Sequence, residues 1–394
     1  MKTVIVGTNE TSSWPHFGGS LWVRLQYLLG LRRLGVDAYW VDRLAPPDPR
    51  TNPHSVDYLV HRFRRFAEDF GFEDRYCIIY DRGARHFGID ERRLHETIER
   101  ADLLLNVAGR LEPGDPLLGV RRRAFLDVDP GFTQIWALQT DMHLDRHHLF
   151  FTIGQNVGGP GFSVPTEGVD WQPTLPPVVL EQWPARTEAG GERIGTVGDW
   201  RGSQEAIFEG VRHCGKRDEF LGFLRVPAEA EVRIDLALLV GQEDYEDLGL
   251  LLRNGWRVLD PYAHAGDPSS YREFIQSSRA EFSVAKQGYV RTRSGWISDR
   301  TACYLASGKP AIVQSTGFEH RLSSGAGLLT FSTIREAVEA LHQVRDDYTR
   351  HALAARRLAE ERFDSDLVLA DLLHKAGLEV DPPRGGRAPA AGLR

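Results

Sequence analysis

The sequence predicts an α/β protein made of two consecutive Rossmann-like domains that face each other across a central crevice. Three observations carry that expectation. Short apolar strands alternate with amphipathic helices along most of the chain, which is the pattern of parallel sheets covered by crossover helices. The pattern starts twice, once at Lys2–Gly7 and again at Arg193–Val197, each time with a strand followed by a glycine-containing loop. At 394 residues the chain is long enough for two separate cores.

In the first half, the apolar strand 2–7 leads into the loop 8–19, which carries the tandem glycines Gly18 and Gly19. Leu21, Leu25, Leu28, Leu29 and Leu34 then recur at helical spacing until Gly35, and 38–41 is the next strand. A polar connection (45–55) precedes a helix over 56–70. Strands are expected at 77–80, 103–107, 123–128 and 149–153, with a helix at 91–100. The proline-rich stretch 154–186 reads as irregular chain leaving the domain. The second half predicts a strand at 193–197, a helix over 204–214, and strands at 234–240, 257–259, 281–285, 311–314 and 328–330. Helices are expected at 245–254, 268–277, 333–347 and 348–362. The domains are thus 1–185 and 186–380, with a last helix that can cross back to the first domain. The Pro/Gly/Ala/Arg-rich tail 381–394 reads as disordered.

Composition narrows the function. A formal net charge of −7 argues against a nucleic-acid surface, which needs an excess of Lys and Arg. No apolar run approaches the length of a membrane span, and Met1–Gly7 reads as a strand rather than a signal peptide. Three widely spaced cysteines, Cys77, Cys214 and Cys303, suit reduced thiols in a cytoplasm.

The most informative stretch is Glu281–Phe318. It reads as a buried strand, a basic loop over Gln287–Gly295, an N-cap at Ser298 and Asp299, a helix over 300–306, a Gly308-Lys309-Pro310 stop and another strand. A strand that delivers a basic loop to a helix N-terminus holds phosphates, because exposed N–H groups and the helix dipole both favour an anion. Lys286, Arg291, Arg293 and Arg300 supply charge around that helix start, with Ser294, Gly295, Trp296, Ser298 and Asp299 lining it. In the opening of the second domain, Thr196, Gly198 and Trp200 are expected to line the same ligand. Gly198 would let backbone come close, and Trp200 would stack on the base or sugar or else cover the core.

Three segments resemble glycosyltransferases of the GT-B fold. They are Trp14-Pro15-His16-Phe17-Gly18-Gly19 before an amphipathic helix, Ile194-Gly195-Thr196-Val197-Gly198-Asp199-Trp200, and Ala306-Ser307-Gly308-Lys309-Pro310-Ala311-Ile312. The stretch Gly295-Trp296-Ile297-Ser298-Asp299-Arg300 is similar to an uncharacterised bacterial glycosyltransferase-like family. The resemblance implies a nucleotide-sugar donor, UDP or dTDP in first place, bound mainly by the second domain. It also implies transfer to a small-molecule or glycan acceptor, with the nucleotide-sugar as co-substrate and no cofactor. Many retaining members carry a Glu-x7-Glu pair before the Ala-x-Gly-x-Pro segment. Here Gly295 and Cys303 stand in those places, which shifts weight towards an inverting hexosyltransferase.

Glycosyl transfer builds negative charge on the leaving diphosphate. With no Asp-x-Asp in a donor loop, the protein's own cations are expected to offset it, so no metal is expected. Asp127-Val128-Asp129 matches that pattern but lies in the first domain. An acceptor hydroxyl needs a base there, and His16 beside Gly18 and Gly19 fits, its ordinary pKa of about 6.5 suiting proton removal. It reads equally as a binding or packing histidine. Asp129 and Asp127 are competing bases, although Asp129 before Pro130 also reads as a turn former. His143, His147 and His148 lie in a polar loop pattern without ligand spacing. The alternative function is a same-fold epimerase or hydrolase, or an inactive sugar-nucleotide binder.

Overall fold

The computed structural model describes residues 1–9, 11–13, 16–48, 52–109, 111–187, 192–202, 204–322 and 324–380. Trp14 and Pro15 of the opening motif and the tail 381–394 lie outside the described residues. Two compact units emerge. The first comprises Met1–Val128, Asp141–Phe151 and the chain from Ser365, and the second Asp129–Thr140 and Thr152–Asp364. The expected boundary at 185/186 falls inside the second unit. The irregular segment after residue 152 packs with the second sheet, and so does the helix Phe132–Gln139, whose Phe132 and Ile135 join a cluster with Val164, Ala206 and Tyr289.

In the first unit, β1 (Thr3–Asn9), β2 (Asp37–Leu44), β3 (Tyr76–Tyr80), β4 (Arg85–Gly88), β5 (Leu103–Val107), β6 (Arg123–Asp127) and β7 (Leu149–Thr152) run in the order β4-β3-β2-β1-β5-β6-β7. Pairs among β3, β2, β1, β5 and β6 are parallel, and β4 pairs antiparallel with β3. Val4, Ile5, Val6, Leu103 and Leu104 are fully buried, as strands covered on both faces require. The helices Val56–Asp69 and Glu91–Arg100 start where Ser55 and Asp90 accept backbone N–H bonds from Tyr58 and Arg93.

The helix Ser365–Lys375, at the far end of the sequence, belongs to this first unit and packs on the helix Gly18–Arg33. Arg33 grips Asp366 with two hydrogen bonds of 2.8 and 2.7 Å. Gly30 makes the approach possible, since a Cβ there would lie 2.5 Å from Leu369 Cδ1 and 2.8 Å from Ser365 Cβ.

In the second unit, a short β8 (Trp171–Pro173) precedes the sheet strands β9 (Ile194–Asp199), β12 (Ile234–Leu239), β13 (Trp256–Leu259), β14 (Ala280–Ser283), β15 (Ala311–Gln314) and β16 (Leu328–Phe331). β10 (Ala206–Phe208) and β11 (Val211–His213) form a separate hairpin. The sheet order is β13-β12-β9-β14-β15-β16, with every pair parallel. The chain runs outward from β9 to one edge and returns beside it with β14, so the strand order reverses between those two. Ligands of open α/β sheets bind outside the carboxyl ends of strands at that reversal.

Two local expectations are corrected. The stretch expected as a helix over 204–214 is the β10–β11 hairpin. Glu209 and Gly210 take φ of 50° and 76°, the two positive values that a tight hairpin turn demands, and Phe208 and Val211 flank them as a strand pair. The basic loop 287–295 contains a helix, Gln287–Thr292, closed by Arg293 in the left-handed conformation.

Gly30→Val should therefore wedge apart the helices Gly18–Arg33 and Ser365–Lys375 and cost about 1–3 kcal/mol by overpacking. A denaturant titration of both proteins checks this, and the variant midpoint should fall without a change in slope.

Candidate functional site

A buried ion pair ties β14 to the helix Asp299–Ala306 and to the neighbouring β9. Arg300, in the first turn of that helix, is 6% exposed and places Nε 2.7 Å from Glu281 Oε1 on β14. Its Nη1 donates to the Val197 carbonyl of β9 at 2.6 Å, and its Nη2 to Ser283 Oγ at 2.6 Å. All three nitrogens of the guanidinium are thus engaged inside the protein. This corrects the expected role of Arg300 as a direct grip on phosphate: it ties two strands and a helix together instead. Ser298 is the expected N-cap, its Oγ accepting from the Arg300 N–H at 3.2 Å, with Asp299 half-buried behind it.

Trp200 is likewise turned inward. It is fully buried, donates through Nε1 to Asp247 Oδ2 at 3.0 Å and packs against Phe220 at 5.4 Å between ring centroids. It covers the core rather than facing a ligand, because its large apolar surface is better buried than exposed beside charged groups. Thr196, Gly198 and Asp199 remain at the β9 end, and the buried Thr196 Oγ1 has no partner among the described residues.

The group that sequence reading missed is Lys216. It immediately precedes the helix Arg217–Gly222 and reaches back to β9, where a Cβ on Gly198 would lie 3.2 Å from its Nζ. Gly198 thus makes room for a lysine. Burial, and then the charges of Arg300 and Lys286, push the Lys216 pKa down to about 7. No hydrogen bond or ion pair links its ammonium to a described residue. The only sequence signal was a lysine ahead of an acidic first turn, Lys216-Arg217-Asp218-Glu219, and the helix expected over 204–214 obscured it.

Lys286 caps β14 from the other side. Its Nζ lies 2.8 Å from Asp129 Oδ1 and 5.1 Å from the Tyr289 ring centroid, and the Tyr289 hydroxyl donates to the same Asp129 oxygen. Asp129 therefore sits in the second unit, held by a cation and a phenol. That corrects its expected place in the first domain, and its Oδ1 is already taken by two donors of the second unit. Trp296 stacks on Tyr289 with centroids 4.4 Å apart at 26°, giving the site an aromatic wall.

Arg291 and Arg293 are both exposed. Arg291 donates to the Arg212 carbonyl of the hairpin at 2.7 Å, away from the helix start, and Arg293 offers its own carbonyl to Asn156 Nδ2 at 2.8 Å. Ser294 and Gly295 accept from the backbone N–H groups of Asn156 and Gln155. Gly295 has φ of 71°, and a Cβ there would meet Asn156 atoms at 2.9 Å, so only glycine fits. The loop 293–298 is thus pinned by Asn156, a residue with no prior signal in the sequence.

In the first unit, Gly18 and Gly19 open the helix Gly18–Arg33, whose N-cap Phe17 makes no side-chain capping bond. His16 Nε2 lies 3.0 Å from the Tyr58 hydroxyl, and His54 stacks on Tyr58 at 4.6 Å. Partial burial, then Arg62 and His54, lower the His16 pKa, so its imidazole is neutral near pH 7. Asp127 is fully buried at the end of β6. The expected histidine cluster splits. His143 pairs with Asp141 at 2.9 Å and Glu112 at 3.2 Å, His147 is buried against Asn106, and His148 accepts from the Arg123 N–H. Among the described residues, no helix is long and apolar enough to cross a membrane.

No family model and no curated protein matches the chain. Solved structures do. An alpha-glucosyltransferase in complex with UDP-glucose and DNA containing an abasic site superposes with a TM-score of 0.61 at 12% identity, covering 95% of this chain and 99% of that one. An alpha-glucosyltransferase (AGT) in complex with UDP gives 0.61 at 12% identity, covering 96% and 100%. Anabaena HepE in complex with UDP and glucose gives 0.57 at 12% identity, covering 96% and 100%. The likeness runs through both units, and the chain has the GT-B fold.

Removing one partner of the buried pair should be severe. Arg300→Met leaves Glu281 charged and buried, and is expected to destabilise by about 3–5 kcal/mol. Glu281→Gln combined with Arg300→Met should recover part of that loss. Chemical denaturation of the single and double variants measures the coupling, and additive effects would contradict it.

Proposed function

We propose that the chain is a glycosyltransferase that moves a hexosyl group from a UDP-sugar to a hydroxyl of a small-molecule or glycan acceptor. The observation that carries this reading is Lys216. At the carboxyl end of β9, Glu281 and Asp199 only partly offset what burial and the charges of Arg300 and Lys286 cost the Lys216 ammonium, so a further anion there is favoured. A diphosphate laid across the ends of β9 and β14 supplies it. Arg300 and Lys286 add positive field, and the first turn of the helix Asp299–Ala306 adds N–H dipoles. The UDP present in the structures of similar fold supports the same donor class.

In the reaction, the anomeric C–O bond to the diphosphate breaks, UDP leaves with both bonding electrons, and the acceptor oxygen forms the new bond. The acceptor proton passes to a base. His16 is the base we assign, because its imidazole is neutral near pH 7 and Tyr58 holds it in place. Inversion at the anomeric carbon follows from direct attack.

No divalent metal is required on this reading, since Lys216 and Lys286 supply the charge that a cation would bring to the leaving group. A net charge of −7 disfavours a polyanionic acceptor, so we place nucleic acid outside the substrate range. The buried thiols Cys77, Cys214 and Cys303 suit a reducing cytoplasm.

Lys216 makes binding depend on pH in a definite direction. Its folded pKa lies below the ordinary 10.5, so its burial penalty is complete below about pH 7 and is relieved as pH rises. A bound diphosphate favours the charged ammonium. Affinity for UDP-glucose should therefore fall as pH rises above about 7, with uptake of close to one proton on binding near pH 8. Titration calorimetry in buffers of different ionisation enthalpy measures that uptake. Lys216→Met should abolish it and weaken binding by about 1–3 kcal/mol. Uptake that persists in the variant would remove Lys216 from the site.

His16→Ala should lower kcat by about 10²–10⁴-fold with donor affinity nearly intact, read from steady-state rates and calorimetry once an acceptor is found. Activity should also survive EDTA. Loss on chelation, restored by Mg²⁺, would overturn the metal-independent mechanism.

A further inference from the structure

A cavity of about 330 Å³ opens at the carboxyl ends of β15 and β16, between the helices Arg217–Gly222 and Gln287–Thr292. Its polar lining is two carboxylates, Asp218 and Glu219, the Gln314 amide, and the hydroxyl residues Ser315, Ser332 and Thr333. Phe223 and Val290 supply apolar surface, and no lysine or arginine lines it.

The polar groups are organised. Gln314 Oε1 accepts from the Ala285 N–H at 3.0 Å, which fixes the amide, and its Nε2 donates to Glu219 Oε2 at 2.7 Å. Glu219 Oε1 accepts no hydrogen bond from a described residue, and its side chain is half-buried. The Asp218 oxygens are engaged by Arg217 and by the Cys214 thiol, so Glu219 is the carboxylate available to a ligand. Two of its lining residues connect it to Lys286 and Lys216 through the Gln314 bond to the Ala285 N–H and the helix that carries Glu219. Ala285 directly precedes Lys286, and Glu219 lies one helical turn beyond Lys216.

We propose that this cavity takes the glycosyl group of the donor, an uncharged hexose, and that Glu219 accepts hydrogen bonds from its hydroxyls. This rests on the reading of the second unit as a UDP-sugar site. The volume holds one hexose, and a pocket with few placed polar groups over apolar surface is how small ligands are oriented. Sugar hydroxyls are donors that a fixed carboxylate satisfies strongly, while the sugar's C–H face lies against Phe223 and Val290. A uronate carboxylate entering the same cavity would meet Glu219 and Asp218 with no cation in the lining, so anionic sugars are rejected.

The test is calorimetric titration of the full chain with UDP, a panel of neutral UDP-hexoses and UDP-glucuronate. It is run on the unsubstituted protein, on Glu219→Ala, and on Glu219→Gln, which keeps an acceptor for Gln314. Thermal unfolding confirms that each variant is folded. For at least one neutral UDP-hexose, Glu219→Ala should weaken binding by about 10-fold or more while UDP binding changes less than about 2-fold. Glu219→Gln should show the same pattern to a smaller degree. UDP-glucuronate should bind the unsubstituted protein worse than that hexose does, and Glu219→Gln should narrow the gap. Equal losses for UDP and UDP-hexose, no loss with any hexose, or tight binding of UDP-glucuronate would each overturn the assignment. Failure of the unsubstituted protein to bind UDP at all would instead overturn the donor-site reading, and the sugar pocket with it.

Discussion

The second unit depends on one interaction, the buried pair between Arg300 and Glu281. A charged carboxylate and guanidinium inside a protein are tolerable only when their remaining hydrogen-bonding positions are largely met. The Val197 carbonyl and Ser283 hydroxyl meet the guanidinium's other donors. Those four groups come from β9, β14 and the helix Asp299–Ala306, so the pair fixes the point where strand order reverses. Glu281 keeps one buried oxygen without a partner among the described residues, and its charge acts on Lys216 together with that of Asp199.

The three cations at that point have separate duties. Arg300 is structural, because its donors are spent within the fold. Lys286 is shared between Asp129 and the aromatic group of Phe132 and Tyr289, which holds its ammonium in place. Lys216 is different, since burial and two like charges work against its protonation. An electrostatic field arranged before the ligand arrives needs no reorganisation when charge develops on a leaving group. The fold thus uses two cations to raise the value of the third to an anion.

The first unit shows the same economy with a carboxylate. Asp42, fully buried at the end of β2, accepts from Thr8 Oγ1 at 2.5 Å, the Thr11 N–H at 3.1 Å, and the Ser12 N–H and Oγ at 2.8 and 2.6 Å. Four donors compensate its burial and fold the chain after β1 into a tight turn ahead of His16. Tyr58 and His54, from the helix Val56–Asp69 and its approach, then set the orientation of the imidazole. A histidine in an otherwise polar loop thereby acquires a fixed position, while partial burial, then Arg62 and His54, lower its pKa.

The repeated alternation of apolar strands and amphipathic helices determined the fold by itself, because burial on both faces of a parallel sheet writes near-continuous apolar runs into the chain. The N-cap at Ser298, the stop at Gly308 and the strands around them were legible for the same local reason. Side-chain duties were not. Whether Arg300 faces solvent or Glu281 is decided by a residue nineteen positions away, and whether Trp200 meets a ligand or Asp247 is decided by one forty-seven positions away. Lys216 looked like any surface lysine until the hairpin ahead of it carried its ammonium under Gly198. Asp129 changed units because the helix after it packs on Tyr289 rather than on the strand before it. Local pattern encodes which residues are helix or strand, whereas the pairing of charges depends on which strands the crossovers bring side by side, and only the folded chain fixes that.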